Sequence, residues 1–138
     1  MKGWRNRILA VFIGLGAAVW LAGGLAWAQE FGHIAPEALK KMIESGDKSI
    51  LVVDVQPKVA YDLGHVKGAV NFPWEQDLKS NGDLPKDKTL VLYCDCGHEE
   101  DSVDTASQLK EKWGYTRIQF LEGGWSKWQE LGYPVEKK

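Results

Sequence analysis

A chain of 138 residues carrying 17 Lys and Arg against 19 Asp and Glu has single-domain length and a formal charge of −2. That balance excludes a basic nucleic-acid-binding surface. With 44% hydrophobic residues and only two cysteines, the chain is globular, and it is too poor in cysteine for a disulfide scaffold.

The first 28 residues differ from the rest. Lys2, Arg5 and Arg7 precede an uncharged run from Ile8 to Leu25, and Ala26 and Ala28 stand where an export peptidase reads small residues. This is the plan of a secretory signal peptide. An uncleaved anchor is the alternative, because the run is just long enough to span a bilayer, although Gly23 and Gly24 interrupt it late. Either way the domain is expected in a bacterial periplasm, touching the membrane only through this segment, with its basic end on the cytoplasmic side. Without residues 1–28 there remain 14 Lys and Arg against 19 Asp and Glu, a formal −5.

Residues 29–35 read as a linker and 36–138 as the domain. Pro36 opens a helix whose Leu39, Met42 and Ile43 fall at helical spacing, and Gly46 stops it. The β-branched run 49–55 suits a strand buried on both faces. A short helix follows Pro57, a second strand covers 68–72, and residues 73–88 form a surface excursion with turn signals at Asn81-Gly82 and Pro85. Residues 89–93 are another buried strand. The helix after it starts at Asp101 or Ser102, carries Ala106, Leu109 and Trp113 on one side, and ends at Gly114. A strand at 116–121, a last helix and a short tail complete the chain. Strands alternating with helices predict an α/β domain with a mainly parallel sheet covered on both faces.

Active sites of such sheets form at the carboxyl ends of strands. Cys94 directly follows the strand 89–93 and precedes a helix by a short loop, where backbone N–H groups point at whatever the loop holds. That position makes Cys94 the candidate nucleophile. The surroundings are acidic: Asp95, Glu99, Glu100 and Asp101 crowd around it together with His98. Carboxylates disfavour a thiolate, whereas loop amides and a helix N-terminus favour it.

Three segments resemble the rhodanese family. Residues 52–73, VVDVQPKVAYDLGHVKGAVNFP, are similar to its first signature, residues 90–94, LVLYC, to its strand and nucleophile, and residues 120–136, FLEGGWSKWQELGYPVE, to its terminal segment. The resemblance runs from about Pro36 to Glu136. It implies a three-layer domain with a five-stranded, mainly parallel sheet and helices on both faces. It implies sulfur transfer through a persulfide on Cys94, with a small-molecule or protein-bound sulfur donor, a thiol acceptor and no cofactor. The active loop would cradle the outer sulfur through Asp95, Cys96, Gly97, His98, Glu99, Glu100, Asp101 and Ser102. A monomer is expected.

The chain departs from the family in two places. The usual loop is Cys-x-x-Gly-x-Arg followed by Ser. Here Gly97 is in place, the arginine position is Glu99, and the serine is matched by Ser102 two residues late, so the loop reads as lengthened to Cys94–Asp101. A second habitual arginine is replaced by Gln56. A dianion such as thiosulfate would then meet carboxylates without a basic partner, which predicts poor use of thiosulfate and better use of a neutral or protein-bound donor. The Cys-x5-Arg loop of related phosphatases would need arginine where Glu100 stands, which argues against phosphatase chemistry.

The remaining candidates carry plainer readings. Cys96 is a resolving or relay thiol, the partner of Cys94 in a redox disulfide, or a loop residue without a role. Cys94, Cys96, His98 and the Glu pair offer soft ligands, but two thiols are not a structural zinc set, and no metal is expected. His65 matches a family position that ties a loop to the sheet. Asp54 reads as a hydrogen-bond acceptor for neighbouring loops, Trp125 and Trp128 as core, and Trp74 as lining a pocket mouth. A module of this fold that binds a partner, metal or redox species without catalysis is the alternative function.

Overall fold

The computed structural model describes residues 31–95 and 97–138. The export segment and Cys96 lie outside the described residues. In chain order the elements are β1 (Gly32–Ile34), α1 (Pro36–Glu44), β2 (Ile50–Asp54), α2 (Lys58–Leu63), β3 (His65–Val66), β4 (Val70–Asn71), β5 (Thr89–Tyr93), α3 (Glu100–Trp113), β6 (Ile118–Leu121), α4 (Gly124–Glu130) and β7 (Val135–Glu136). Five strands form one sheet in the order β1-β6-β5-β2-β4, with every pairing parallel. The α/β class and five-stranded sheet expected from the sequence are therefore present.

The long apolar runs form strands because both of their faces are buried. In β5, Leu90 and Leu92 face one way and Val91 and Tyr93 the other, the period-2 alternation of a pleated strand. Leu90, Leu92 and then Cys94 join a core with Val53, Phe120, Ala106 and Leu109, on the side covered by α3. Val91 and Tyr93 join Val52, Leu121, Leu39, Trp125 and Trp128, on the side covered by α1 and α4. Trp128 is fully buried and donates its indole N–H to the Pro134 carbonyl at 3.0 Å, so the polar edge of a core residue is satisfied.

Two features differ from the sequence reading. Residues 32–34, read within a linker, form the edge strand β1, paired in parallel with β6. β3 and β7 make a small antiparallel ladder, with His65 opposite Glu136. Both elements are too short to carry a periodic signal; the chain finds them by pairing with a partner distant in sequence. Among the described residues, no helix is long and apolar enough to cross a membrane.

The topology fixes where a site can form. From β2 the chain moves to one side, to β4, and then crosses back over β2 to β5 and onward to β6. The order reverses between β2 and β5, and the crevice outside the carboxyl ends of those strands is the natural binding place. Those ends are Asp54 and Tyr93, and Val55 N–H donates to the Tyr93 carbonyl at 3.0 Å just beyond them.

Candidate active site

Cys94 leaves β5 at this switch point. It is only 3% exposed and packs beneath α3 with Ala106 and Leu109. Its sulfur is in the disulfide-bonded form. Cys96 is the other of the two cysteines in the sequence.

The last helix holds the Cys94 backbone. Trp125 N–H donates to the Cys94 carbonyl at 3.0 Å. This approach needs glycine at position 124, where φ is +54° and a β-carbon would lie 2.4 Å from the same carbonyl oxygen. Next to it, Ser126 Oγ donates to Asp95 Oδ1 at 2.5 Å. The segment GGWS thus forms one wall of the site.

A cavity of about 340 Å³ opens there, lined by Cys94, Asp95, Gly97, His98, Glu99, Gly123 and Ser126. Among the described residues, the lining contains two carboxylates and neither lysine nor arginine. Glu99 adopts the left-handed conformation, φ +59°, and serves as the N-cap of α3, its carbonyl accepting from Val103 N–H at 2.9 Å. Its carboxylate lies 3.1 Å from His33 Nε2 on the edge strand.

The loop is shorter than the sequence reading had it. α3 begins at Glu100, so the loop spans residues 94–99, and Glu100, Asp101 and Ser102 belong to the first helical turn. Of the expected cradle, Asp95, Gly97, His98 and Glu99 line the cavity, whereas Glu100, Asp101 and Ser102 do not. The place of Cys96 lies outside the described residues. Ser102 is fully buried, and its hydroxyl has no hydrogen-bond partner among the described residues. The helix starts early because a left-handed Glu99 turns the chain at once, a conformation that a sequence of strong helix formers does not signal.

Below the site lies a polar network. Asp54 is fully buried, accepting from Tyr93 Oη at 2.6 Å and from Gln56 N–H at 2.8 Å. Gln56 Nε2 also reaches Asp54 Oδ2 at 3.3 Å, and Tyr93 Oη accepts from Val66 N–H at 3.0 Å. Desolvation pushes the Asp54 carboxyl above its ordinary value despite these donors, and raises the Tyr93 phenol as well. Gln56, standing where the family has arginine, is spent inside this network, away from the cavity.

His65 is structural, as read from the sequence. It stacks on Tyr61 with centroids 3.7 Å apart and donates from Nδ1 to the Tyr61 carbonyl at 2.8 Å. Trp125 and Trp128 are core. Trp74 does not line the cavity: its indole N–H donates to Asp104 Oδ2 of α3 at 2.7 Å and its ring stays partly exposed. Among the described residues, no cluster of His, Cys, Asp and Glu could hold a metal ion. Gly123, Ser126 and His33 were not singled out as site residues from the sequence. The Gly-Gly-Trp segment could have pointed to the first, but nothing local marks Ser126 or His33.

Comparison with known proteins places this site in a family. The Rhodanese-like domain pattern matches residues 35–131. The thiosulfate sulfurtransferase GlpE of Shewanella oneidensis is 32% identical over 100 residues, covering 72% of this chain and 94% of that protein. The probable adenylyltransferase/sulfurtransferase MoeZ of Mycobacterium tuberculosis is 31% identical over 118 residues, 83% of this chain, which spans only 29% of MoeZ. Among solved structures, the BH2092 protein of Bacillus halodurans superposes with a TM-score of 0.69 at 25% identity, covering 77% of both chains. The rhodanese-like domain of the Anabaena Alr3790 protein does so with a TM-score of 0.65 at 24% identity, covering 77% of this chain and 79% of that one. With the fold, the strand-end cysteine and these matches in agreement, the chain belongs to the rhodanese-like domain family, whose relatives include proteins named sulfurtransferases.

Proposed function

We propose that this protein is an exported sulfurtransferase that carries a sulfane sulfur as a persulfide on Cys94. The observation that carries the reading is the position of Cys94: at the end of β5, beside the topological switch point, at the base of a cavity, with its carbonyl fixed by Trp125 N–H. In the reduced protein, the Cys94 thiolate attacks the outer sulfur of a donor R–S–SH. The donor S–S bond breaks, its electron pair leaves with R–S⁻, and Cys94–S–SH remains. An acceptor thiolate R′–S⁻ then attacks the outer sulfur, forming R′–S–SH and returning Cys94 to thiolate. Cavity carboxylates with no lysine or arginine in the described lining favour a neutral or protein-bound donor over thiosulfate. Export rests on the basic, apolar and small-residue succession in residues 1–28.

A second reading is favoured by the disulfide-bonded state of Cys94. A Cys96 thiolate attacking the inner sulfur of the Cys94 persulfide would release HS⁻ and leave a Cys94–Cys96 disulfide, making Cys96 a resolving thiol. Intact-mass measurement of the reduced, desalted protein after polysulfide treatment separates these readings. Gain of one sulfur atom that is lost in Cys94→Ser and discharged by an added thiol supports the carrier. Sulfide release with a mass fall of two hydrogens, abolished in Cys96→Ser, supports resolution. Absence of both products overturns the enzymatic reading.

A further inference from the structure

We propose that the mouth of the Cys94 cavity is a docking surface for a cationic protein that presents its own cysteine sulfur to Cys94. The inference deepens the sulfurtransferase reading by naming the class of partner, and it rests on the surface at the start of α3, the helix whose N-cap, Glu99, lines the cavity. Trp74 and Val103 are 40% and 42% exposed, large apolar side chains left in water. Both are tied to the start of α3: Trp74 is bonded to Asp104, the residue after Val103, and Val103 N–H donates to the carbonyl of Glu99, which lines the cavity.

The Trp74 segment is fixed against α3. Gln108 Nε2 donates to Asp104 Oδ2 at 2.8 Å and to the Glu75 carbonyl at 2.9 Å, while its Oε1 accepts from Leu78 N–H at 2.8 Å. One buried side chain therefore staples the Trp74 segment to α3. A tryptophan fixed in advance loses little freedom on binding, which is the property of an interface anchor.

Charge selects the partner. From Thr89 to Leu109 the sequence has five carboxylates, at Asp95, Glu99, Glu100, Asp101 and Asp104, and no lysine or arginine. Of these, Glu99 lies 3.1 Å from His33 Nε2. A second copy would bring the same acidic rim against this one, so self-association is opposed, whereas lysine and arginine flanking an apolar contact complement it. The depth of Cys94 fits such a partner. A sulfur on a projecting residue can enter the cavity while the body of the partner rests on Trp74 and Val103.

The test measures docking without sulfur transfer, using the full reduced chain and two fluorescein-labelled heptapeptides whose central cysteine is S-methylated. One peptide flanks that cysteine with leucine and lysines, the other with leucine and glutamates. The lysine peptide is expected to bind at least about tenfold more tightly at low salt, with most of that gap closed near ~0.5 M NaCl. Trp74→Ala and Val103→Ser are each expected to weaken it by about threefold or more, consistent with loss of an interface contact. If Trp74→Ala unfolds, as circular dichroism will show, Val103→Ser decides. Equal affinity for the two peptides, or lysine-peptide binding unchanged by these substitutions, overturns the proposal. So does a dimer, seen by sedimentation, that Val103→Ser dissociates. Sulfur loading is scored separately by mass, so its failure removes the enzymatic reading without moving this result.

Discussion

Replacing Gly124 by alanine probes the contact that joins the last helix to the nucleophile. The new β-carbon would lie 2.4 Å from the Cys94 carbonyl oxygen, well inside van der Waals contact with backbone that cannot swing away like a side chain. Three costs act together. Alanine at φ +54° takes up the left-handed conformation at about 1–2 kcal/mol. Relieving the overlap in a packed site costs about 1–3 kcal/mol. Moving α4 away weakens the Trp125 N–H bond to Cys94, worth about 1 kcal/mol. A loss near 3–6 kcal/mol corresponds to a fall in Tm of roughly 12–24 °C for a domain of this size. Gly46 supplies the control. Its φ is +70° with nothing within 4 Å, so Gly46→Ala carries only the conformational cost of about 1–2 kcal/mol. Thermal unfolding by circular dichroism, paired with the sulfur-loading assay, reads both effects. The reasoning is refuted if Gly124→Ala melts within about 5 °C of Gly46→Ala and loads sulfur at the wild-type rate.

Two further outcomes follow from the site. Asp54 has its carboxyl raised above 3.8 by desolvation, so the native protein takes up a proton there before the unfolded chain does. Its contribution to stability is complete below 3.8 and is lost as pH rises through the raised native value. Urea unfolding of wild type and Asp54→Asn between pH 4 and 7 should therefore show wild type gaining on the variant toward acid; a pH-independent difference would refute this. Glu99 occupies the position where the family carries arginine and lines the cavity. Glu99→Arg keeps the left-handed backbone cost unchanged but converts repulsion of a dianion into attraction, so kcat/KM for thiosulfate should rise about tenfold or more, an effect of at least about 1.4 kcal/mol. Cyanide-dependent thiocyanate formation measures it, and an unchanged value would show that cavity charge does not govern donor choice.

The amino-acid sequence by itself determined the layered α/β class, because runs such as 50–54 and 89–93 are apolar on both faces and only a strand between two helical layers can bury them. It also determined that Cys94 directly follows a buried strand, and that the loop after it is acidic and lacks arginine. These are local properties, written in consecutive residues. The tertiary structure alone decided the rest. β1 exists because Gly32–Ile34 finds β6 across more than half the chain, and its three residues hold no periodic signal of their own. The lengthened loop read from the spacing is a six-residue loop, because Glu99 takes a left-handed turn that its residue type does not announce. Ser126 and His33 reach the site through hydrogen bonds to Asp95 and Glu99 spanning 31 and 66 residues. Trp74, expected at the pocket mouth, is drawn to Asp104 of α3 and does not line the cavity. Contacts of this kind depend on where folded layers bring distant atoms together, and no short window of sequence contains that distance.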